Sequence, residues 1–304
     1  MNKIVAVAVA VLAVPLGAPG PHRAAATAVC GKGRIAFTSA RGPRRHLDIW
    51  SAEPDGSSPR RLTSGAANDQ HASWSPDGRR IAFASDRGDG FNLDLHVMRR
   101  DGTGVTRITR SRGPDREPAW APDGKTLAYV RDVDGRSQIF IVGIDGSNPR
   151  RATPARMRSA SSPDWSPDGR RIAFAGHRRG NTDVYTMTSR GAELRRLTRA
   201  PTSEAGPAWS PDGRRIVYSG GFPDNADIYV MKRDGTRKKR LTDDPSADTY
   251  PGWSPDGRRI TFTSGRGGSL DVYRMLADGT REAATAAGDA PDFDADWGRR
   301  CRPR

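Results

Sequence analysis

One ten-residue pattern of apolar and polar positions occurs five times along the chain. It begins with an apolar Trp, continues through a polar turn sequence and ends in a second apolar run. Short runs rich in β-branched and aromatic residues, bounded by Gly, Pro and Asp, are typical of β-strands. No segment after residue 28 has a sustained helical period, so the pattern predicts an all-β protein. The copies are WSPDGRRIAF from Trp74, WAPDGKTLAY from Trp120, WSPDGRRIAF from Trp165, WSPDGRRIVY from Trp209 and WSPDGRRITF from Trp253.

The spacing of the repeats indicates the architecture. Successive Trp residues from Trp74 to Trp297 are separated by 46, 45, 44, 44 and 44 residues, a period typical of propeller blades. Each period contains four segments in the same order, namely the Trp segment, a triplet such as IAF, a segment such as DVY and a segment such as RLT. The sequence therefore predicts a six-bladed β-propeller of four-stranded antiparallel blades over residues 29–304.

The two ends of the chain each supply part of one blade. The first triplet, at Ile35, has no preceding Trp strand, and the last Trp strand, at Trp297, has no follower. Pairing of the N-terminal and C-terminal strands would complete the sixth blade and remove exposed sheet edges. Cys30 and Cys301 fall where the missing turn would lie, so we expect a disulfide between them in an oxidising compartment. Two free thiols or a metal-binding pair are the alternatives.

The Asp of the Pro-Asp-Gly turn recurs in five repeats, so its role could be either catalytic or structural. Pro presets the first corner of the turn, Asp is tolerated at the second, and Gly accepts the left-handed conformation that follows. Catalytic groups form one unique constellation, whereas these carboxylates are spread around a ring. We therefore expect a structural role for Asp77, Asp123, Asp168, Asp212 and Asp256.

The W-S-P-D-G run and the spaced D-I-Y and R-L-T elements resemble the TolB-type WD40-like repeat. This repeat also occurs in the propeller domains of prolyl-oligopeptidase-like enzymes. The resemblance covers residues 31–300 and implies a propeller fold. Full TolB carries an α/β domain before its propeller, and the enzymes add a hydrolase domain. Here we expect the propeller only, without the TolB N-terminal domain.

The first 28 residues differ in composition from the rest of the chain. Lys3 gives a basic start, residues 4–16 form an apolar run of 13 residues, and Ala26, Thr27 and Ala28 provide small residues before a cleavage point. This is the secretory pattern, and the run is too short to span a membrane. We expect residues 1–28 to be a signal peptide. The mature protein would be secreted or held in the periplasm or cell envelope, with no integral membrane segment.

The chain carries a formal net charge of +15, with Arg pairs after the first turn and before the fourth strand of many repeats. This basic periphery suits an anionic cell-envelope polymer or lipid headgroups. The alternative is a solvated surface that protects edge strands with positive charge. Nucleic acid is not expected, because the chain is exported and lacks interleaved exposed aromatic residues.

Acidic residues occupy a fixed position, five residues before each Trp. Five of the six positions are acidic, and the exception is Ala160. Because they lie just ahead of the innermost strands, on the face with the variable loops, we expect them to ring the channel mouth and attract a basic peptide or a cation such as calcium. The alternative is that each carboxylate accepts hydrogen bonds within its own loop. The candidate binding residues are Asp69, His71, Asp115, Glu117, Glu204, Asp248, Tyr250 and Asp292.

The sequence gives little support for catalysis. It contains no nucleophile elbow and no phosphate loop. His71, near Asp69 and Glu117, is the grouping that an enzyme or a metal site would use. We therefore predict a monomeric, non-catalytic scaffold without a resident cofactor or metal, which binds a protein partner through its variable-loop face. The alternative is a small propeller hydrolase or lyase, or a carbohydrate-binding protein, that uses the channel mouth.

Overall fold

The computed structural model describes residues 30–31, 33–42, 46–88, 92–154, 156–222, 225–286, 290–298 and 300–301. These residues form strands, turns and bends, which confirms the all-β fold class. The described residues contain no helix of the length and apolarity needed to cross a membrane. The predicted signal peptide lies outside the described residues.

Six sheets of four antiparallel strands form the blades of a propeller, as predicted. The first strands of successive blades contact one another around a closed ring, including blade 6 against blade 1 and blade 1 against blade 2. They therefore form the wall of a central channel, with the fourth strands at the periphery. From first to fourth strand, blade 1 contains Asp292–Trp297, Ile35–Ser39, Asp48–Ala52 and Arg60–Arg61; blade 2 Asp69–Trp74, Arg80–Ser85, Asp94–Arg99 and Thr106–Arg107; blade 3 Asp115–Trp120, Thr126–Val133, Arg136–Gly143 and Arg150–Arg151; blade 4 Ser159–Trp165, Arg171–Arg178, Asn181–Thr188 and Arg195–Arg196; blade 5 Ser203–Trp209, Arg215–Phe222, Asp227–Lys232 and Lys239–Arg240; and blade 6 Asp248–Trp253, Arg259–Ser264, Asp271–Leu276 and Ala283–Ala286.

Blade 1 is assembled from both ends of the chain. Its first strand comes from the C-terminal part and pairs with the N-terminal second strand, with Trp297 opposite Ile35. This confirms the predicted closure. A further two-stranded pair, Cys30–Gly31 with Arg300–Cys301, places Cys30 opposite Cys301 along the backbone. The disulfide itself stays a prediction, because the side chains of both residues lie outside the described structure.

Where the two ends of the chain meet, two positions have no room for a side chain. A Cβ atom on Gly298 would lie 2.4 Å from the Trp74 ring, and a Cβ on Gly33 would lie 1.6 Å from the Gly298 carbonyl oxygen. The Gly298 amide donates to the Arg34 carbonyl at 2.9 Å. Glycine at both positions therefore allows the two ends of the chain to approach closely.

The recurring Trp residues form a layer between blades. All six are 7–8% exposed. The Trp120 indole donates to the Ser73 carbonyl of blade 2 at 3.0 Å, and the Arg80 guanidinium stacks over the same ring at 4.8 Å from its centroid. Each Trp therefore packs its blade against the preceding blade. Trp120 adds a hydrogen bond and a cation–π contact between the two blades.

The Asp of each Pro-Asp-Gly turn bonds within its own turn. Asp77 accepts hydrogen bonds from the Ser75 hydroxyl at 2.6 Å and the Arg79 amide at 3.0 Å. Gly78 follows with a φ of 64°. The other four repeats show the same Asp-to-turn bonding, at Asp123, Asp168, Asp212 and Asp256. These contacts support the predicted architectural role.

Candidate functional site

Every first strand contains a β-bulge at the same place. In blade 2, Gln70 pairs with Ala84 and Ser73 with Ala82, so one extra residue is inserted into the first strand. The residue three positions before each Trp then adopts a left-handed backbone conformation, with φ between 50° and 58°. Bulges of this kind redirect side chains and often adjoin functional sites. We call these six residues the bulge ring: His71, Glu117, Ser162, Gly206, Tyr250 and Asp294.

The bulge ring lines a central cavity of about 170 Å³. The three residues before each Trp line it in all six blades, so the cavity is the central channel itself. The bulge ring lies two or three residues into the first strands, counted from their loop-rich end. The residues directly before each Trp lie two positions further along the strand. Tyr250 is 48% exposed, which makes it one of the few large apolar side chains open to solvent.

One side of the bulge ring, from blades 1 to 3, carries the charged side chains. The Nε2 atom of His71 lies 3.4 Å from Oδ2 of Asp294. Burial raises the pKa of Asp294, the charge of His71 lowers it and the charge of Glu117 raises it. Oε2 of Glu117 accepts the amide of Ser162 at 2.5 Å. The His71 Nδ1 and Asp294 Oδ1 atoms are buried and have no hydrogen-bond partner in the structure.

Two more carboxylates lie deeper in the channel, directly before a Trp. Asp164 accepts the amide of Trp209 at 2.5 Å, and Asp296 accepts the amide of Trp74 at 2.7 Å. Each therefore ties its blade to the next blade. They belong to blades 4 and 1, which stand opposite each other. Burial raises the pKa of Asp164 to about 7, and the charge of Asp296 adds to this effect. Burial also raises the pKa of Asp296.

The predicted acids five positions before the Trp lie elsewhere. They are absent from the cavity lining, and four of the five are fully buried in ion pairs with arginines that lie near the end of the second strand or just beyond it. The arginine stacks over a second-strand aromatic ring, as Arg131 does over Tyr129 at 5.3 Å from its centroid. These four pairs form what we call the buried acid layer: Asp69 with Arg87, Asp115 with Arg131, Asp248 with Arg266 and Asp292 with Arg41.

Among the described residues, blades 4 and 5 lack this acid–arginine pair. Gly176 and Gly220 occupy the position of Arg131, and Arg178 and Phe222 occupy the position of Arg87. Blade 4 has Ala160 in place of the acid, whereas blade 5 has Glu204, which is 4% exposed and accepts the Thr198 hydroxyl at 3.1 Å. Burial raises the pKa of Glu204 to about 7. Of the eight candidate residues, the structure thus brings only His71, Glu117 and Tyr250 into the channel.

Sequence reasoning missed the other half of the channel lining. Ser162, Gly206 and Asp294 share the spacing of the three candidates that do line the channel, and this common distance from the Trp was the available signal. Among the described residues, no group of three or more His, Cys, Asp or Glu side chains is arranged to hold a metal ion. A channel-mouth calcium ion therefore remains an untested prediction.

The fold and the channel define a six-bladed β-propeller of WD40-like repeats. The family model described as TolB beta propeller domain matches residues 155–222 and 201–300 of the chain, so these repeats are similar to those of TolB propellers. No curated protein sequence matches the chain.

Several solved structures share the fold. TolB from Acinetobacter baumannii is similar with a TM-score of 0.78 and 21% identity, covering 88% of this chain and 67% of that chain. A chain of a nidogen/laminin complex has a TM-score of 0.72 and 11% identity, covering 87% of this chain and 98% of that chain. An oligogalacturonate lyase in complex with manganese has a TM-score of 0.60 and 14% identity, covering 85% of this chain and 75% of that chain. At these identities the likeness establishes the fold alone.

Proposed function

We propose that this protein is an exported, non-catalytic scaffold that binds a protein partner through the loop-rich end of its channel, with a cationic group of the partner seated in the bulge ring. The observation that carries the proposal is the diversity of this ring. Its six equivalent positions hold six different residue types, while the Trp and turn positions around them repeat. Diverse side chains on a repeated rigid frame are typical of a recognition surface.

The backbone of the bulge ring strengthens this argument. A left-handed conformation costs a non-glycine residue about 1 kcal/mol or more, and Gly avoids the cost. Only blade 5 uses Gly, at Gly206, whereas five blades keep a side chain in this conformation. Bulge geometry alone gives no reason to retain those five side chains. We infer that they are retained for contacts in the channel.

The charge of the lining favours a cationic group. Glu117, Asp164, Asp294 and Asp296 line the cavity, and its lining contains no Lys or Arg. The chain as a whole carries +15. An acidic channel in a basic protein gives a local potential of opposite sign, which selects an amine or guanidinium of a partner and repels the protein's own surface.

Export and partner binding receive support of different kinds. The N-terminal secretory pattern of residues 1–28 supports export to the periplasm, the cell envelope or the medium. The backbone pairing of Cys30 with Cys301 supports a disulfide, which an oxidising compartment permits. A propeller of similar fold occurs in a complex between nidogen and laminin, which supports a protein partner in general terms.

A matched pair of double variants tests the channel. Glu117→Gln with Asp294→Asn removes two carboxylates from the bulge ring, and Asp134→Asn with Asp243→Asn removes two exposed carboxylates outside the channel. We expect affinity capture from a cell-envelope extract, quantified by mass spectrometry, to lose a specific partner by about tenfold with the channel variant alone. Equal capture by both variants would contradict the proposal.

One observation favours the second candidate function, a hydrolase, a lyase or a carbohydrate-binding protein. His71 and Asp294 lie within 3.4 Å of each other in the channel, and a histidine beside a carboxylate is a common acid–base arrangement. The purified protein should be screened with esters and polysaccharides. We expect no turnover. Turnover that His71→Ala abolishes would overturn the scaffold proposal, and sugar binding that survives the charge variant would favour a carbohydrate ligand.

A further inference from the structure

A second cavity lies on the opposite face, where the Pro-Asp-Gly turns are. It belongs to blade 5 alone, between the turn after the first strand and the turn after the third strand, and has a volume of about 650 Å³. The Arg233 amide donates to the Arg214 carbonyl at 2.9 Å, which joins the two turns and fixes the cavity wall. We call this the blade 5 basic pocket. Its lining contains five cationic residues, Arg214, Arg215, Lys232, Arg233 and Arg237.

The lining is strongly cationic in balance, with five cations against the two carboxylates of Asp212 and Asp234. Arg215 stacks over the Trp253 ring at 4.7 Å from its centroid. The other four cationic side chains have no ion-pair partner among the described residues. The two acids in the lining are already engaged: Asp212 accepts the Ser210 hydroxyl and the Arg214 amide, and Asp234 accepts the Thr236 amide and hydroxyl.

Blade 3 has an equivalent cavity between the same two turns, but its lining contains fewer cationic residues. Its volume is about 510 Å³, and its cationic lining residues are Lys125 and Arg150. Gly143, Ile144 and Asn148 occupy the positions of Lys232, Arg233 and Arg237. Asn148 and Arg237 share a φ of 51°, so the turns have the same backbone. The cations of blade 5 are therefore not required to build the cavity.

We propose that the blade 5 basic pocket binds the phosphate groups of a soluble phosphate-bearing polymer. Arginine presents a planar pair of donors that matches phosphate oxygens bidentately, and three of the four unpaired cations are arginines. Five cations against two carboxylates leave a formal charge of about +3 in one concave pocket, which fits an anion with two or more phosphate groups better than a single carboxylate. A concave pocket also favours a chain segment that enters it over a flat lipid surface.

Two triple variants, each with three fewer positive charges, test whether binding depends on this pocket or only on the overall positive charge of the protein. Arg214→Gln, Arg233→Gln and Arg237→Asn remove three pocket cations, and Asn is the residue that blade 3 uses at the left-handed position. A loop variant, with Arg110→Gln, Arg112→Gln and Arg158→Gln, removes three exposed cations from loops on the opposite face of the protein. Calorimetry with tripolyphosphate, at physiological ionic strength, is the measurement, and circular dichroism checks folding.

We expect wild-type protein to bind tripolyphosphate more tightly than inorganic phosphate. The blade 5 variant should weaken this binding by about tenfold or more, and the loop variant by less than about threefold. A charge-preserving variant with Lys at positions 214, 233 and 237 should show an intermediate loss, because Lys lacks the bidentate geometry.

Three results would overturn the proposal. The first is an absence of tripolyphosphate binding by the wild-type protein. The second is an equal loss in both triple variants, which would indicate only a basic surface. The third is binding to phosphatidylglycerol vesicles that depends on the pocket while tripolyphosphate binding does not, which would assign the pocket to a lipid surface.

Discussion

Two residues of the same first strand, two positions apart, have opposite environments. In blade 3, Asp115 is fully buried and held by Arg131, whereas Glu117 lines the channel. In a regular strand, residues two apart share one face. The bulge inserts an extra residue there and places the later side chain in the channel. The acids of the buried acid layer are therefore fixed by their arginine partners, whereas the bulge ring is free to vary.

The largest expected effect comes from breaking the buried acid layer. Arg131 holds Asp115 with two parallel contacts of 2.7 and 2.8 Å, and hydrogen bonding to Asp115 raises the pKa of Arg131. Asp115→Asn leaves the guanidinium without its charged partner and should cost about 3 kcal/mol of unfolding free energy. Urea denaturation measures this.

Glu117→Gln is the matched control for that experiment. It changes the same functional group two residues later, and the Gln amide oxygen can still accept the Ser162 amide. Its cost should be within about 0.5 kcal/mol. A cost for Glu117→Gln equal to that for Asp115→Asn would contradict the division between the two positions.

The second effect depends on pH and concerns the acid that has no arginine. Burial raises the pKa of Glu204 from 4.5 to about 7. A folded pKa above the unfolded value means that stability is fully present below about pH 4.5 and is lost as the pH rises towards about 7. Glu204→Gln should therefore stabilise the protein by about 2 kcal/mol near pH 8 and have little effect near pH 4.

Thermal unfolding of wild type and Glu204→Gln across this pH range is the measurement. Asp115→Asn serves as the contrast, because it should destabilise the protein near pH 8 by removing the partner of Arg131. If Glu204→Gln destabilised the protein near pH 8, Glu204 would belong with the paired acids, and the distinction between blade 5 and blades 1, 2, 3 and 6 would fail.

The smallest effect concerns the backbone of the bulge ring. Gly206 has a φ of 57°, and a Cβ atom there would meet nothing closer than 3.6 Å. Gly206→Ala should therefore cost about 1 kcal/mol through backbone conformation alone. Gly206→Asn should cost about half as much, since Asn tolerates this region better. Equal costs for the two variants, measured by urea denaturation, would point to packing instead.

The repeats make most of the fold predictable from sequence. Trp spacing gave the blade number, and the unmatched segments at Ile35 and Trp297 gave the closure. The channel lining was less predictable because the bulge has no residue signature: six different residue types occupy it. The contact between His71 and Asp294 joins residues 223 positions apart, which only the closed ring brings together.

The arginine partners of the buried acid layer also could not be predicted from the sequence. Arg87 comes two residues beyond the second strand and folds back onto Asp69, whereas Arg131 lies within the second strand itself. Two different sequence offsets thus produce one spatial arrangement. A single-sequence pattern search finds a fixed offset, and here the offset changes between blades.

Because blade 1 takes its innermost strand from Asp292–Trp297, the ring stays open until these residues have been synthesised. Until then Ile35–Ser39 has an unpaired edge, and the walls of the channel are incomplete. Closure of the channel is thereby coupled to synthesis of this last strand, and a product truncated before residue 292 would expose a sheet edge open to pairing with other chains.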